Sequence, residues 1–169
     1  LARDPFGIKP LFYCDDGSSF WFSSEIKALL RVGAVDAAPD LHALKRYLQF
    51  DYIPGEPTAF KNIKELRPGH WMRISREGEL KRESYWDWPS RMLASPDPAT
   101  ASAESLFLLR RAVKRQLVSD VPVGVMLSGG LDSSALTALM AEVRGNSDFH
   151  TFSLGFEGSS FNESDYARL

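Results

Sequence analysis

A single cysteine, Cys14, stands in this 169-residue chain, so no disulfide can form within it. That fits a reducing compartment, and the cytoplasm is the expected location. Charge of one sign is not in excess. The 20 Lys and Arg residues against 22 Asp and Glu leave a net charge of -2, which removes any broad electrostatic case for nucleic acid. No apolar run approaches the roughly 20 residues of a membrane-spanning helix, so no membrane partner is expected. Histidine is scarce: His42, His70 and His150 lie in unrelated segments without metal-ligand spacing and read as structural. What is left, with 44% apolar residues, is a globular chain.

The pattern divides it into three parts. Leu11–Cys14 and Phe20–Ser23 are short β-like runs around Asp15-Asp16-Gly17-Ser18, a hairpin turn. Ser24 is placed to cap a helix over Glu25–Leu30, and Asp40 to cap a second one with Leu41, Leu44, Tyr47 and Leu48 on one face. His70–Ser75 and Leu80–Trp88 predict another hairpin around Glu77-Gly78-Glu79. Residues 89–103, with three prolines, small residues and no apolar period, predict a linker between a domain over 1–88 and one over 104–169. Leu106, Leu109, Val113 and Leu117 then step as an amphipathic helix. Arg110, Arg111, Lys114 and Arg115 lie on and beside its polar side, as a solvated face does.

The chemistry is concentrated in Ser128-Gly129-Gly130-Leu131-Asp132-Ser133-Ser134. It follows the apolar run Val121–Leu127 and opens the helix-like run Ser134–Ala141. Strand, glycine turn and helix start make an anion site, because the first turn of a helix has unpaired N–H groups and the positive end of the dipole. Gly129 and Gly130 let the backbone approach closely, and Ser128, Ser133 and Ser134 add hydroxyls. The Lys of a Walker A loop and the three spaced glycines of a dinucleotide fingerprint are both missing. Asp132 is a candidate either to hold Mg²⁺ bound to the phosphates or to accept N–H bonds as a helix cap. An ordinary serine-capped turn is the bland alternative.

Ser128–Ser134 resembles the SGGxDSS loop of the N-type ATP pyrophosphatases, the PP-loop enzymes, which cleave ATP between the α- and β-phosphates and adenylate a carboxylate or carbonyl carbon. Arg3-Asp4-Pro5-Phe6-Gly7-Ile8-Lys9-Pro10-Leu11, followed by Ser24-Glu25-Ile26-Lys27-Ala28-Leu29, looks like the closing part of a class II glutamine amidotransferase domain. Tyr52-Ile53-Pro54, Phe60, Leu66-Arg67-Pro68-Gly69-His70 and Tyr85-Trp86 resemble the connecting region of asparagine synthetase. His150–Phe156 resembles the second strand of its synthetase domain. The order of the four blocks is that of the glutamine-hydrolysing asparagine synthetase family, and the resemblance is weakest over Ser90–Ala103.

The resemblance implies an α/β fold: the C-terminal end of an αββα N-terminal-nucleophile amidotransferase domain, then the start of a parallel-sheet, adenine nucleotide alpha hydrolase-like domain. It implies glutamine, aspartate and ATP as small-molecule substrates, Mg²⁺ with the ATP, and a homodimeric parent. Ammonia from glutamine would attack β-aspartyl-AMP to give asparagine. Ser128, Gly129, Gly130, Asp132, Ser133 and Ser134 would hold pyrophosphate and ATP, with Leu127 and Leu154 lining the adenine and ribose pocket. The family's nucleophile is a cysteine at the mature N-terminus. Cys14 is internal, in the strand-like run Phe12-Tyr13-Cys14, so a buried structural thiol is expected and no catalytic residue is assigned within the chain. Arg3 and Asp4 are expected to form an ion pair fixing the last strands. Leu1 in place of Met, and a lone strand–loop–helix–strand unit after residue 120, suggest a fragment of a longer protein, because two parallel strands do not close a core.

Overall fold

The computed structural model describes residues 1–33, 35–89, 97–145, 149–155 and 164–167. The chain is mixed α/β with small sheets and divides into two compact units, Leu1–Arg91 and Met92–Leu169. Among the described residues no helix is long and apolar enough to cross a membrane.

The first unit is antiparallel. β1 (Phe12–Asp15) pairs with β2 (Phe20–Ser23), Tyr13 opposite Phe22 and Cys14 opposite Trp21. The turn between them is held by the Asp16 carboxylate, which accepts the N–H groups of Ser18 and Ser19 at 2.9 and 2.7 Å. The next helix, α1 (Ile26–Leu30), departs from expectation at its start. Glu25 is its N-cap and no side chain caps it; the hydroxyl near the turn is that of Ser23, which accepts the Glu25 N–H at 3.2 Å, so Ser24 is not the cap. In α2 (Leu41–Phe50), Asp40 does cap, accepting from the N–H groups of His42 and Ala43 at 2.9 and 3.0 Å. The stripe of Leu41, Tyr47 and Leu48 on α2 is exposed, however, and the residue the helix buries is Ala43.

β3 (Lys64–Glu65) joins the other edge of β1, completing the order β2-β1-β3. Alternation across β1 sends Cys14 into one apolar cluster with Leu29, Val35 and Ile63, and Tyr13 into another with Leu66 and Met72. Two cores therefore share one strand. β4 (His70–Ile74) and β5 (Leu80–Ser84) form the second hairpin, which ends at Ser84 rather than Trp88. Beyond it the N–H groups of Tyr85 and Trp86 both turn to the Gly69 carbonyl.

The ion pair expected between Arg3 and Asp4 is not formed. Arg3, 9% exposed, pairs with Glu65 at 2.7 Å and donates to the carbonyls of Lys9, Leu66 and Gly7. Asp4 instead accepts the N–H groups of Phe6, Ile8 and Lys9, a turn that the carboxylate closes by itself. Arg3 alone ties its segment to β3, through Glu65, and the Asp4 side chain serves the local turn.

The second unit opens with α3 (Pro98–Gln116), which starts inside the stretch 89–103 expected to be a linker; residues 90–96 lie outside the described residues. Asp97 overrides the prolines by accepting from Ala99 and Thr100 N–H, with Pro98 in the first turn, where its missing N–H costs nothing. Then β6 (Val125–Met126), α4 (Leu131–Arg144) and β7 (Thr151–Phe152) form a β-α-β unit with the strands parallel. The apolar run 121–127 yields only a two-residue strand. At Gly124 a Cβ would sit 2.6 Å from the Phe152 ring and 2.7 Å from the His150 carbonyl, so the two chains meet there as closely as backbone allows. α5 (Ser164–Ala167) follows.

Candidate functional site

The loop Leu127–Gly130 leaves the C-terminal end of β6 and delivers the chain into α4. Its first residue, Leu127, is held by the end of β7 and by the residue that follows it. The Leu127 N–H donates to the Phe152 carbonyl at 2.8 Å, and the Ser153 hydroxyl donates to the Leu127 carbonyl at 2.6 Å. Because the strands are parallel, the loop and Leu154 emerge at the same sheet edge, the carboxyl edge where open α/β sheets bind ligands.

The turn is a closed circuit of hydroxyls. The Ser133 hydroxyl donates to the Gly130 carbonyl at 3.2 Å and accepts from the Ser128 N–H at 3.2 Å; the two hydroxyls lie 3.0 Å apart. The Ser128 hydroxyl receives the Gly130 N–H at 3.4 Å. Gly129 has φ of +81°, where L side chains are strained, and a Cβ there would lie 2.5 Å from the backbone carbonyl carbon of Tyr166 in α5. Glycine at this position is required twice over. Gly130 is the N-cap of α4 and no side chain caps the helix; its carbonyl takes the first helical bond, from Ser134, at 3.0 Å. The first turn of α4 thus presents its N–H groups toward the loop, as an anion site needs.

The structure brings Leu127, Ser128, Gly129, Gly130, Asp132, Ser133 and Ser134 together in this one turn, with Leu154 on the neighbouring strand's exit. Leu127 is half-buried and Leu154 exposed. Asp132 is not the cap that was one of its two expected roles: Gly130 holds that position, and Asp132 lies exposed in the first turn. Among the described residues no group of three or more His, Cys, Asp or Glu side chains is arranged to hold a metal. One exposed carboxylate fits a hard cation carried in on phosphate oxygens, the way Mg²⁺ is commonly held, and does not fit an all-protein cage. Two contributors escaped the sequence reading. Ser153 sits inside the His150–Phe156 run but carried no spacing signal, and α5 meets Gly129 through backbone, which composition does not encode.

Cys14 has the opposite character to a nucleophile. It lies in β1, 2% exposed, and burial pushes its thiol up, with the Asp16 and Asp15 carboxylates acting in the same direction. The basic cluster on α3 is partly spent internally: Arg110 pairs with Glu142 of α4 at 2.8 Å, and Arg111 lies 5.7 Å from the centre of the Phe107 ring.

The comparisons agree with this division. A family model described as glutamine amidotransferase domain matches residues 1–86, and one described as asparagine synthase matches residues 106–169. The chain is 45% identical over 162 residues to asparagine synthetase (glutamine-hydrolyzing) 3 of Bacillus subtilis, covering 92% of this chain and 26% of that protein. It is 34% identical over 167 residues to asparagine synthetase (glutamine-hydrolyzing) 1 of the same organism, covering 99% of this chain and 26% of the relative. It is also 30% identical over 147 residues to the amidase chry2 of Gibberella zeae, covering 84% of this chain and 21% of that protein. The chain thus spans about a quarter of the length of these two asparagine synthetases.

Proposed function

Because the chain belongs to the glutamine-hydrolysing asparagine synthetase family, we propose that it carries the ATP-activating loop of an enzyme that makes asparagine from aspartate with glutamine as nitrogen donor. The observation that carries the reading is the Ser128–Ser133 circuit around a positive-φ Gly129 at the uncapped start of α4. In this reading, the first unit is the closing part of an αββα amidotransferase domain, and the second begins a PP-loop synthetase domain after a connection near residues 89–97.

Pyrophosphate leaves as the aspartate β-carboxylate attacks the α-phosphate of ATP, giving β-aspartyl-AMP. Ammonia then displaces AMP, a far better leaving group than an oxide. This chain's part is to hold the departing pyrophosphate. The N–H groups of the α4 first turn and the hydroxyls of Ser128, Ser133 and Ser134 face charge that grows on the leaving group. Mg²⁺, when bound, neutralises the phosphate oxygens, and Asp132 is its one carboxylate here. Leu127 and Leu154 flank the base and ribose. Cys14, buried with a raised thiol pKa, is not the nucleophile of glutamine hydrolysis in this reading.

The test has two stages. Calorimetric titration of the chain with MgATP should give saturable binding that Gly129→Ala weakens at least tenfold; no binding by the unaltered chain overturns the site. An enzyme containing both complete domains, given glutamine, ATP and aspartate, should release asparagine, AMP and pyrophosphate in equal amounts. A second reading, a relative that amidates another carboxylate, draws on one observation, the 30% identity to a protein that is not named as an asparagine synthetase. AMP release that requires a carboxylate other than aspartate would decide for it.

A further inference from the structure

The first unit holds a second concave site, unconnected with the loop in α4. It is a pocket of about 380 Å³ whose walls include four cations, Arg46, Lys61, Lys64 and Arg67, and two carboxylates, Asp40 and Glu56. Each cation is set by a different piece of scaffold. Arg46 projects from α2, which Asp40 caps. Lys61 lies in a turn pinned to the start of that helix: its N–H donates to the Ala38 carbonyl at 3.0 Å, and the Asp40 N–H donates to Ala59 at 2.9 Å. Thr58, 5% exposed, closes the same turn by donating to the Ile63 carbonyl at 2.7 Å. Lys64 is on β3, next to the fully buried Ile63.

Both carboxylates are already committed. Asp40 accepts two backbone N–H groups of α2, and Glu56 accepts from Arg67 at 3.1 Å and Arg82 at 2.9 Å. Among the described residues Arg46, Lys61 and Lys64 form no ion pair with any carboxylate. Asp40 keeps its charge beneath its backbone bonds, so the lining sums to four cations against two carboxylates, a net positive concave wall.

We propose that this pocket binds a phosphate-type dianion, free or as a phosphate monoester, on Arg46, Lys61 and Lys64. The charge count favours a dianion over a single carboxylate, and Arg with Lys is the usual pairing for phosphate oxygens. The site is independent of the ATP-loop reading and stands or falls without it.

The test is ¹H–¹⁵N NMR of the chain titrated with inorganic phosphate at constant ionic strength, with sodium chloride as the matched control. Saturable shifts are expected for the amides of Gly55, Lys61 and Lys64. They should fall at least tenfold in apparent affinity in the double variant Lys61→Gln, Lys64→Gln, both exposed positions whose change leaves the fold intact. They should persist in Gly129→Ala, which separates this pocket from the α4 loop. Comparison of inorganic phosphate with a sugar phosphate distinguishes the two sources. Shifts that grow linearly and match those from chloride, or that survive the double variant unchanged, overturn the proposal.

Discussion

The two units contain similar proportions of apolar residue types and use them differently. In the first, an antiparallel sheet places neighbouring β1 residues in opposite clusters, and eight side chains, from Tyr13 to Met72, are buried hydrophobics. In the second, Leu139 and Met140 alone among the described residues reach that state, and α3 buries none of its 19 residues. The sheets account for the contrast. A three-stranded antiparallel sheet with a covered face can close around itself, whereas two parallel strands of two residues leave both faces calling for helices. A groove of about 270 Å³ between α3, β6 and α4, lined by Leu109, Val113, Leu117, Leu136 and Met140, marks the incompleteness. The unit with the weaker core carries the Ser128–Ser134 loop proposed for ATP, so the loop's shape rests on its own hydrogen bonds more than on packing beneath it.

The largest expected effect strikes the first unit where charge is buried. Arg3→Ala would strand Glu65 and three carbonyls and should cost about 3–5 kcal/mol. Urea unfolding followed by tryptophan emission reads it cleanly, because Trp21, Trp71, Trp86 and Trp88 all lie in that unit. Next comes the pair that sharpens the contrast of cores. Ile63→Ala, at a fully buried position, should lower stability by about 2–4 kcal/mol in the same assay. Leu109→Ala, at a position 45% exposed, should leave the tryptophan transition unmoved and cost the helical signal about 1 kcal/mol or less. Equal losses in both would mean that the second unit is as well packed as the first.

How far the sequence foretold this follows the same line. Hairpins and the Asp40-capped helix were legible because turn chemistry is local: Asp16 and Gly17, Asp40, and Gly78 act on backbone within a few residues. The Ser128–Ser134 turn was legible for the same reason. What was hidden depends on distant partners. Arg3 finds Glu65 across 62 positions rather than its neighbour Asp4, and no local pattern predicts that choice. Leu41 and Leu48 are spaced for burial, but spacing cannot say whether anything covers them. The prolines of 89–103 suggested a linker, yet one aspartate before Pro98 was enough to start a helix.

A moderate effect tests the helices themselves. Asp40→Ala removes a cap on a helix anchored by the turn at residues 59–61, and should cost about 1 kcal/mol in the tryptophan assay. Asp97→Ala removes a cap from a helix with no buried residue, so the loss should appear as fraying of the first turn of α3, seen as faster amide exchange at Ala99 to Ala101 with the tryptophan transition unchanged. If Asp97→Ala shifted the tryptophan transition, the two units would not be energetically separate.

The smallest effect is a pH dependence present in both units. The Asp4 carboxyl is held below the ordinary aspartate range first by the Lys9 N–H and then by those of Ile8, Phe6 and Gly7. Asp97 is lowered first by the Thr100 hydroxyl, then by the N–H groups of Thr100 and Ala99. A carboxyl whose folded pKa is depressed contributes stability that is fully present above its unfolded value, about 3.9, and is lost as pH falls through the lower folded value. Asp97 is exposed and Asp4 partly exposed, so each contribution is screened and small. Acidification from pH 5 to 2 should therefore loosen the Asp4 turn and the start of α3. Carboxyl NMR titration reads each group directly. Replacing Asp4 with Asn should flatten the acid limb for the first unit alone, and Asp97→Asn for the second alone. A single variant that flattened both would show that one unit's acid response is transmitted to the other.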